Sequence, residues 1–333
     1  MPDIFGYPFM MKNILIGFIF ICSTGASLAQ QLPIFSLYHE NSFILNPAMT
    51  GTEDHGIITA TYRDQWNGMD GRPRTVSGTY RSPIPRTNMG VGTHLVNDIT
   101  GPTSYTGATV TYAYHISFKK IKPFYWAKFL RNSKLSFGIA LSAYHYRLKS
   151  SELVLENPFD LAVSSDNQSA VRPNAGVGMY YYYDKIYFGF SAPQLLPLTV
   201  NFEAADGTSA IQRKNHFYIT LGGKIPLGGK VPKGYYNKFY IEPVAWFKYA
   251  KGAPLQYDVY ARFRHKNIVW AGAGYRSSKT MIFDAGVMLL KQLQLGYAYD
   301  LQVNSYRADL GNTHEVIVAF HLPSKQGRSF GVR

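Results

Sequence analysis

Reactive side chains are plentiful in this chain but do not assemble into a recognisable catalytic centre. Its nine histidines are scattered, and none has the His-Glu-x-x-His spacing that places two imidazoles on one helical face for a metal. His314 and Glu315 are adjacent in an alternating stretch, THEVIVAF. Neighbours on a strand point to opposite faces, so this spacing cannot give them a shared metal. The glycine pairs GVG and GAG lack the strand-to-helix setting of a phosphate loop. No metal and no cofactor is expected, and a hydrolase would need Ser, His and acidic groups gathered in one place. The side chains with most electrostatic consequence are Arg63, Asp284, Asp300 and Glu315, which share the inward phase of their stretches. An arginine turned into a low-dielectric wall needs acidic company, and the three carboxylates are its natural candidates. Water filling the lumen is the alternative.

What positions such residues depends on where the chain folds. Met11 and Lys12 precede the apolar run ILIGFIFIC and the small-residue stretch STGASLA, the pattern of a secretory leader. Residues 1–29 read as a signal peptide starting at Met11, with cleavage near Ala29. Nine apolar residues are too few to cross a bilayer as a helix. The only cysteine, Cys22, leaves with the leader, so no disulfide or thiol chemistry is expected. The net charge is +14. Nucleic acid is a poor partner for an exported protein, and an anionic membrane surface or an acidic partner fits better. Aromatics make up 15% of the residues and charged groups only 16%, against about a quarter charged in ordinary soluble domains. Without a later apolar run long enough to span as a helix, these features point to a transmembrane antiparallel β-barrel in the outer membrane.

Period-two alternation supports that fold. In LSFGIALSAYHY, Leu135, Phe137, Ile139 and Leu141 fall on one face and Ser136, Gly138, Ala140 and Ser142 on the other. MIFDAGVML and LQLGYAYD repeat the pattern, with Asp284 and Asp300 inward. About fourteen such segments occur, each near the ~10 residues a tilted strand needs. They centre on Thr59, Ser77, Gly92, Thr109, Ile139, Gly178, Phe188, Thr220, Val244, Tyr260, Gly272, Asp284, Leu295 and Val318. The even count places both ends of the barrel, residues 56–322, on one side. Short second, sixth, tenth and twelfth connections make that side periplasmic. The first, third, fifth, seventh and thirteenth read as longer external loops, the fifth (Arg147 to Arg172) and seventh (Ser191 to Lys214) longest. Two basic connections, after the fourth and eighth strands, break the parity. Residues 323–333 form a tail.

Strand one places Thr59, Thr61 and Arg63 inward and Tyr62 at the interface girdle. Gln65 and Trp66 begin the external loop, with Asn67-Gly68 and Asp70-Gly71 as turn dipeptides. The glycine pairs 90/92, 176/178 and 272/274 each clear one strand face. Curvature is one explanation. The other is that the segment preceding the barrel, residues 30–55, is a periplasmic or plug segment whose stretch Gln31 to Gly51 packs against those smooth inner walls.

Several motifs, in order, resemble the PorP/SprF family of outer-membrane proteins linked to the Bacteroidetes type IX secretion system. They are NPA-x-x-G (Asn46, Pro47, Ala48, Gly51), YR-x-QW (Tyr62, Arg63, Gln65, Trp66), VND (Val96, Asn97, Asp98) followed by GPT, GYR (Gly274, Tyr275, Arg276), YAYD ending at Asp300, and the pair His314-Glu315. The similarity covers almost the whole mature chain. The basic connection from Phe118 to Lys134 is longer than the family's tight turn. The resemblance implies an outer-membrane barrel serving secretion and gliding, with lipid around it and periplasmic components beneath. At its external face it would receive the type B C-terminal signal domain of a secreted adhesin. On this reading the external loops recognise the client, and the basic charge steers an acidic client toward them. A diffusion channel or small-solute transporter is the second reading, and an outer-membrane enzyme the third.

Overall fold

The computed structural model describes residues 35–118, 133–152, 168–183, 185–196, 198–201, 210–228, 239–266, 268–304 and 307–323. Fourteen antiparallel strands follow the alternating stretches: β1 Ile57–Asp64, β2 Arg74–Pro83, β3 Met89–Thr100, β4 Thr103–Ser117, β5 Lys134–Leu148, β6 Gln168–Tyr183 and β7 Ile186–Gln194. The second half comprises β8 His216–Gly223, β9 Phe239–Ala250, β10 Gln256–His265, β11 Val269–Arg276, β12 Thr280–Leu289, β13 Leu293–Gln302 and β14 Thr313–His321. Each pairs with its sequence neighbour, and β1 closes on β14 from Ile57↔His321 to Asp64↔His314. The sheet is thus a closed barrel with no free edge, which lets every ladder group bond within the wall. Residues Ile225–Leu227 prolong β8 along β9. A separate hairpin pairs Leu198–Asn201 with Ala210–Arg213. No helix of the described residues is long and apolar enough to cross a membrane.

Burial alternates as the sequence pattern requires. On β1, Thr59, Thr61 and Arg63 are buried while Ile58 and Tyr62 are exposed, and on β5 Ser136, Ala140 and Ser142 face in against exposed Phe137, Ile139 and Leu141. The inside is more polar than apolar: polar and charged residues outnumber hydrophobic ones among the buried positions, and tyrosines supply much of the apolar share. This is the reverse of a soluble core and the arrangement expected when the apolar solvent lies outside.

Two connections depart from expectation. The third is a two-residue turn, Gly101-Pro102, because β3 and β4 continue as a ladder to Thr100↔Thr103. Polar Asn97 and Asp98 lie in this extension. Beyond the apolar band a strand needs no lipid-facing side chains, and backbone pairing carries it on. The fifth connection shrinks likewise, since β5 and β6 pair as far as Leu148↔Gln168. The leader expected over residues 1–29, the rest of the stretch to residue 34, the basic connection 119–132 and the tail residues 324–333 lie outside the described residues.

Candidate functional site: a segment held across the lumen

Residues Phe35–Thr52 lie inside the barrel. The chain turns twice there, through short 3-10 turns at Ser42–Ile44 and Pro47–Met49. Asn46 caps the second: its side chain accepts from Ala48 N–H at 3.0 Å, and Pro47 follows at the position where a missing N–H does no harm. The same Asn46 donates to the carbonyls of Met179 on β6 and Phe190 on β7. Gly51 adopts φ +74°, leading the chain out toward β1.

The wall receives this segment at glycines. A Cβ on Gly138 would strike the Pro47–Ala48 backbone, one on Gly178 the Asn46 side chain, and one on Gly90 the Thr50–Gly51 backbone; Gly92 lies against Phe43 and Thr50. Of the glycine pairs marked in the sequence, residues 90, 92 and 178 lie against the segment, Gly176 faces the Pro193 backbone, and the space at Gly272 and Gly274 is taken by the Tyr260 ring.

Charged side chains complete the seating. Arg63 donates to Glu315 Oε2 at 2.7 Å, to Asp300 Oδ2 at 2.8 Å and to Ser36 Oγ at 3.0 Å. Glu315 also accepts from the N–H groups of Ser36 and Leu37, and Ser36 Oγ–H donates to Asp300. Arg276 reaches Asp258 at 3.0 Å and Asp300 at 3.4 Å. These side chains are at most 6% exposed. The expected acidic company for Arg63 is thus Asp300 and Glu315. Asp284 stands three strands away and instead pairs with Arg262 and takes the Tyr260 hydroxyl.

A second cluster holds Glu40, which pairs with Arg262 and Arg264 and accepts from Gln294 Nε2 at 2.5 Å. Burial alone would raise its carboxyl, but Arg262, Arg264 and the Gln294 hydrogen bond prevail and hold it at about 2. Burial and the Arg262 charge push the neighbouring His39 imidazole well below its ordinary value. From Gln294 a hydrogen-bonded row continues through His321 Nε2 (2.9 Å), His55 (2.7 Å) and Asp54 (2.6 Å). A third anchor joins Asn41 to Arg81 at 2.7 Å and to Thr79. Tyr38 stacks on Trp246, Thr50 meets Thr111, and Ala48 and Leu45 accept from Ser136 and Ser191. The segment thus bonds or stacks on β1, β2, β4, β5, β6, β7, β9, β10, β13 and β14, all around the bore. Between it and the upper wall, near Phe35, Tyr144 and Tyr218, a space of about 60 Å³ remains, while cavities of about 480 and 260 Å³ open below it.

The other motif residues lie elsewhere. Tyr62 and Tyr275 face outward, 46% and 41% exposed. Gln65 and Trp66 enter the first loop, whose Asn67 exchanges hydrogen bonds with the Asn312 backbone, so the first and thirteenth loops close on each other. Asn97 and Asp98 bond Thr106 and Thr75 along the β2–β4 ladder. His314 faces away from Glu315, toward Tyr297 and Asn67. Glu40, Arg262, Arg81 and Asp258 went unread in the sequence, although the inward phase of β2 and β10 marks three of them. Among the described residues no three His, Cys, Asp or Glu are placed to hold a metal.

The family model described as type IX secretion system membrane protein PorP/SprF matches residues 27–320. No curated protein matches the sequence. Among solved structures, the Acinetobacter baumannii outer membrane protein Omp33 is similar at 9% identity, covering 82% of this chain and 100% of its own, with a TM-score of 0.43. A TodX deltaS2S3 mutant monoaromatic hydrocarbon channel matches at 10% identity over 84% and 94%, TM-score 0.45. The KdgM porin matches at 10% over 80% and 99%, TM-score 0.37.

Proposed function

The chain belongs to the PorP/SprF family of type IX secretion system membrane proteins. From that premise we propose that it is a non-enzymatic outer-membrane barrel that binds, exports or tethers a secreted surface protein carrying a type B C-terminal signal domain. The observation that carries the reading is the packed lumen. A barrel for small solutes needs a continuous wet path, whereas here Phe35–Thr52 bonds to strands around the whole bore through buried ion pairs and backbone contacts. A rigid barrel with a filled bore leaves its loops for recognition. The fifth and seventh connections, residues 149–167 and 195–215, are the longest on the client's side.

Deleting the gene should remove one or a few C-terminal-domain adhesins from the cell surface and leave general permeability nearly intact. Surface proteomics paired with small-solute uptake separates the alternatives. An uptake defect with a normal surface proteome would support the channel and defeat this reading. Pull-down from solubilised membranes identifies the client and any periplasmic components.

A further inference from the structure

Among the described residues, Arg86, Lys185, Lys224, Lys266 and Lys291 stand in the connections at one face of the barrel. The connections β2–β3, β4–β5, β6–β7, β8–β9, β10–β11 and β12–β13 each contain a lysine or arginine, and Asp184 is their only acidic residue. Glu53 and Asp54, just before β1 on that face, are already paired with Arg81 and His55. The opposite connections are mixed, with Asp70, Glu152, Glu156, Asp160 and Asp309 among them. Lysines at the tight turns thus ring the face at which β1 begins and β14 ends.

At three tight turns on this face the cation stands beside an exposed aliphatic side chain. Lys185 precedes Ile186, which is 60% exposed; Lys266 stands two residues before Ile268, 47% exposed; and Lys291 follows Leu290, 91% exposed. Leu290 and Lys291 both adopt positive φ, at 51° and 61°, as does Lys266 at 51°. Glycine or asparagine is the ordinary solution for such turns. Here the strained conformation carries a long cation and a bare leucine instead. None of the three lysines makes an ion pair among the described residues. A turn tip surrounded by water gains nothing from Leu290. A tip seated in a lipid headgroup layer gains from both side chains, the aliphatic chain entering the acyl boundary and the ammonium meeting phosphate. The apolar part is also continuous with the lipid-facing belt above it, through Leu289 and Val269.

We propose that this rim is an anionic-phospholipid site, in which the paired aliphatic and lysine side chains at 185–186, 266–268 and 290–291 seat the turns among negatively charged headgroups. The inference is independent of the cargo reading. An acidic protein docked on the same lysines is the competing occupant, and the exposed aliphatics beside each cation favour lipid over it.

The test uses the whole barrel in nanodiscs, with a bimane fluorophore on Leu290→Cys in a Cys22→Ser background. Brominated phosphatidylglycerol is compared with brominated phosphatidylcholine as quencher. The proposal expects phosphatidylglycerol to be preferred about fivefold, from one lysine near the surface. The preference should collapse toward unity at high salt and be abolished by Lys291→Gln, with heat-modifiable migration showing the barrel intact. Equal quenching by the two lipids, or a preference that survives Lys291→Gln, overturns it. Absence of quenching by either lipid also overturns it and leaves the turn to a protein partner. Lys266→Gln with the fluorophore on Ile268→Cys repeats the test at a second turn should the first variant misfold.

Discussion

Replacing Arg63 by alanine tests whether the charged lumen is structural. Its side chain is 3% exposed and lies 2.7 Å from Glu315 and 2.8 Å from Asp300, themselves 0% and 2% exposed. Removing it leaves two buried carboxylates without their main counter-charge, a defect that costs about 3–5 kcal/mol. Asp300 would keep Arg276 at 3.4 Å, and Glu315 would keep the Ser36 and Leu37 amides, so the lower end, about 3 kcal/mol, is expected. Urea unfolding of the detergent-folded barrel, followed by tryptophan fluorescence and heat-modifiable migration, should show a lower midpoint with an unchanged slope. Arg63→Met combined with Glu315→Gln removes one charge of each sign and should recover much of the loss. An Arg63→Ala barrel as stable as the parent would mean that lumen water solvates the carboxylates, and the structural role would be refuted.

Other perturbations follow from the same contacts. Gly138→Val places a branched side chain against the Pro47–Ala48 backbone and should lift the segment from the wall without unfolding the barrel, seen as protease cleavage within 35–52 while migration stays normal. Asn46→Ala removes a cap and the bonds to Met179 and Phe190 and should cost about 1–2 kcal/mol in urea unfolding. Glu40 is held at about 2, below its ordinary 4.5. Its contribution is therefore complete above about pH 4.5 and is lost as pH falls toward 2, so the exchange protection of residues 38–45, taken relative to the intrinsic rate at each pH, should fall across that window and be nearly flat from pH 5 to 7.

The barrel was legible because its solvent is lipid. Outward Phe137, Ile139 and Leu141 alternating with Ser136, Gly138 and Ala140 leave few other folds open. All fourteen strand centres fall within strands. The ladder ends were not legible, since Asn97, Asp98 and Ser169 extend strands where no apolar face is needed. Within the lumen, inward phase identified Arg63, Asp300 and Glu315 as neighbours but could not give distance around the ring, so Asp284 was grouped with a partner three strands off. The segment's own ligands were harder still. Ser36, Glu40, Asn41 and Asn46 lie in irregular backbone with no period to phase them. Only the glycines of β3 and β6 signalled that another backbone approaches.

Single-channel recording in planar bilayers tests the filled lumen most directly, comparing the parent barrel with one lacking residues 35–52. The parent should stay silent, and the deletion variant, still migrating as a folded barrel, should open in steady ohmic steps. Equal conductance in the two proteins would contradict the account, because the segment would then lie in an already open bore.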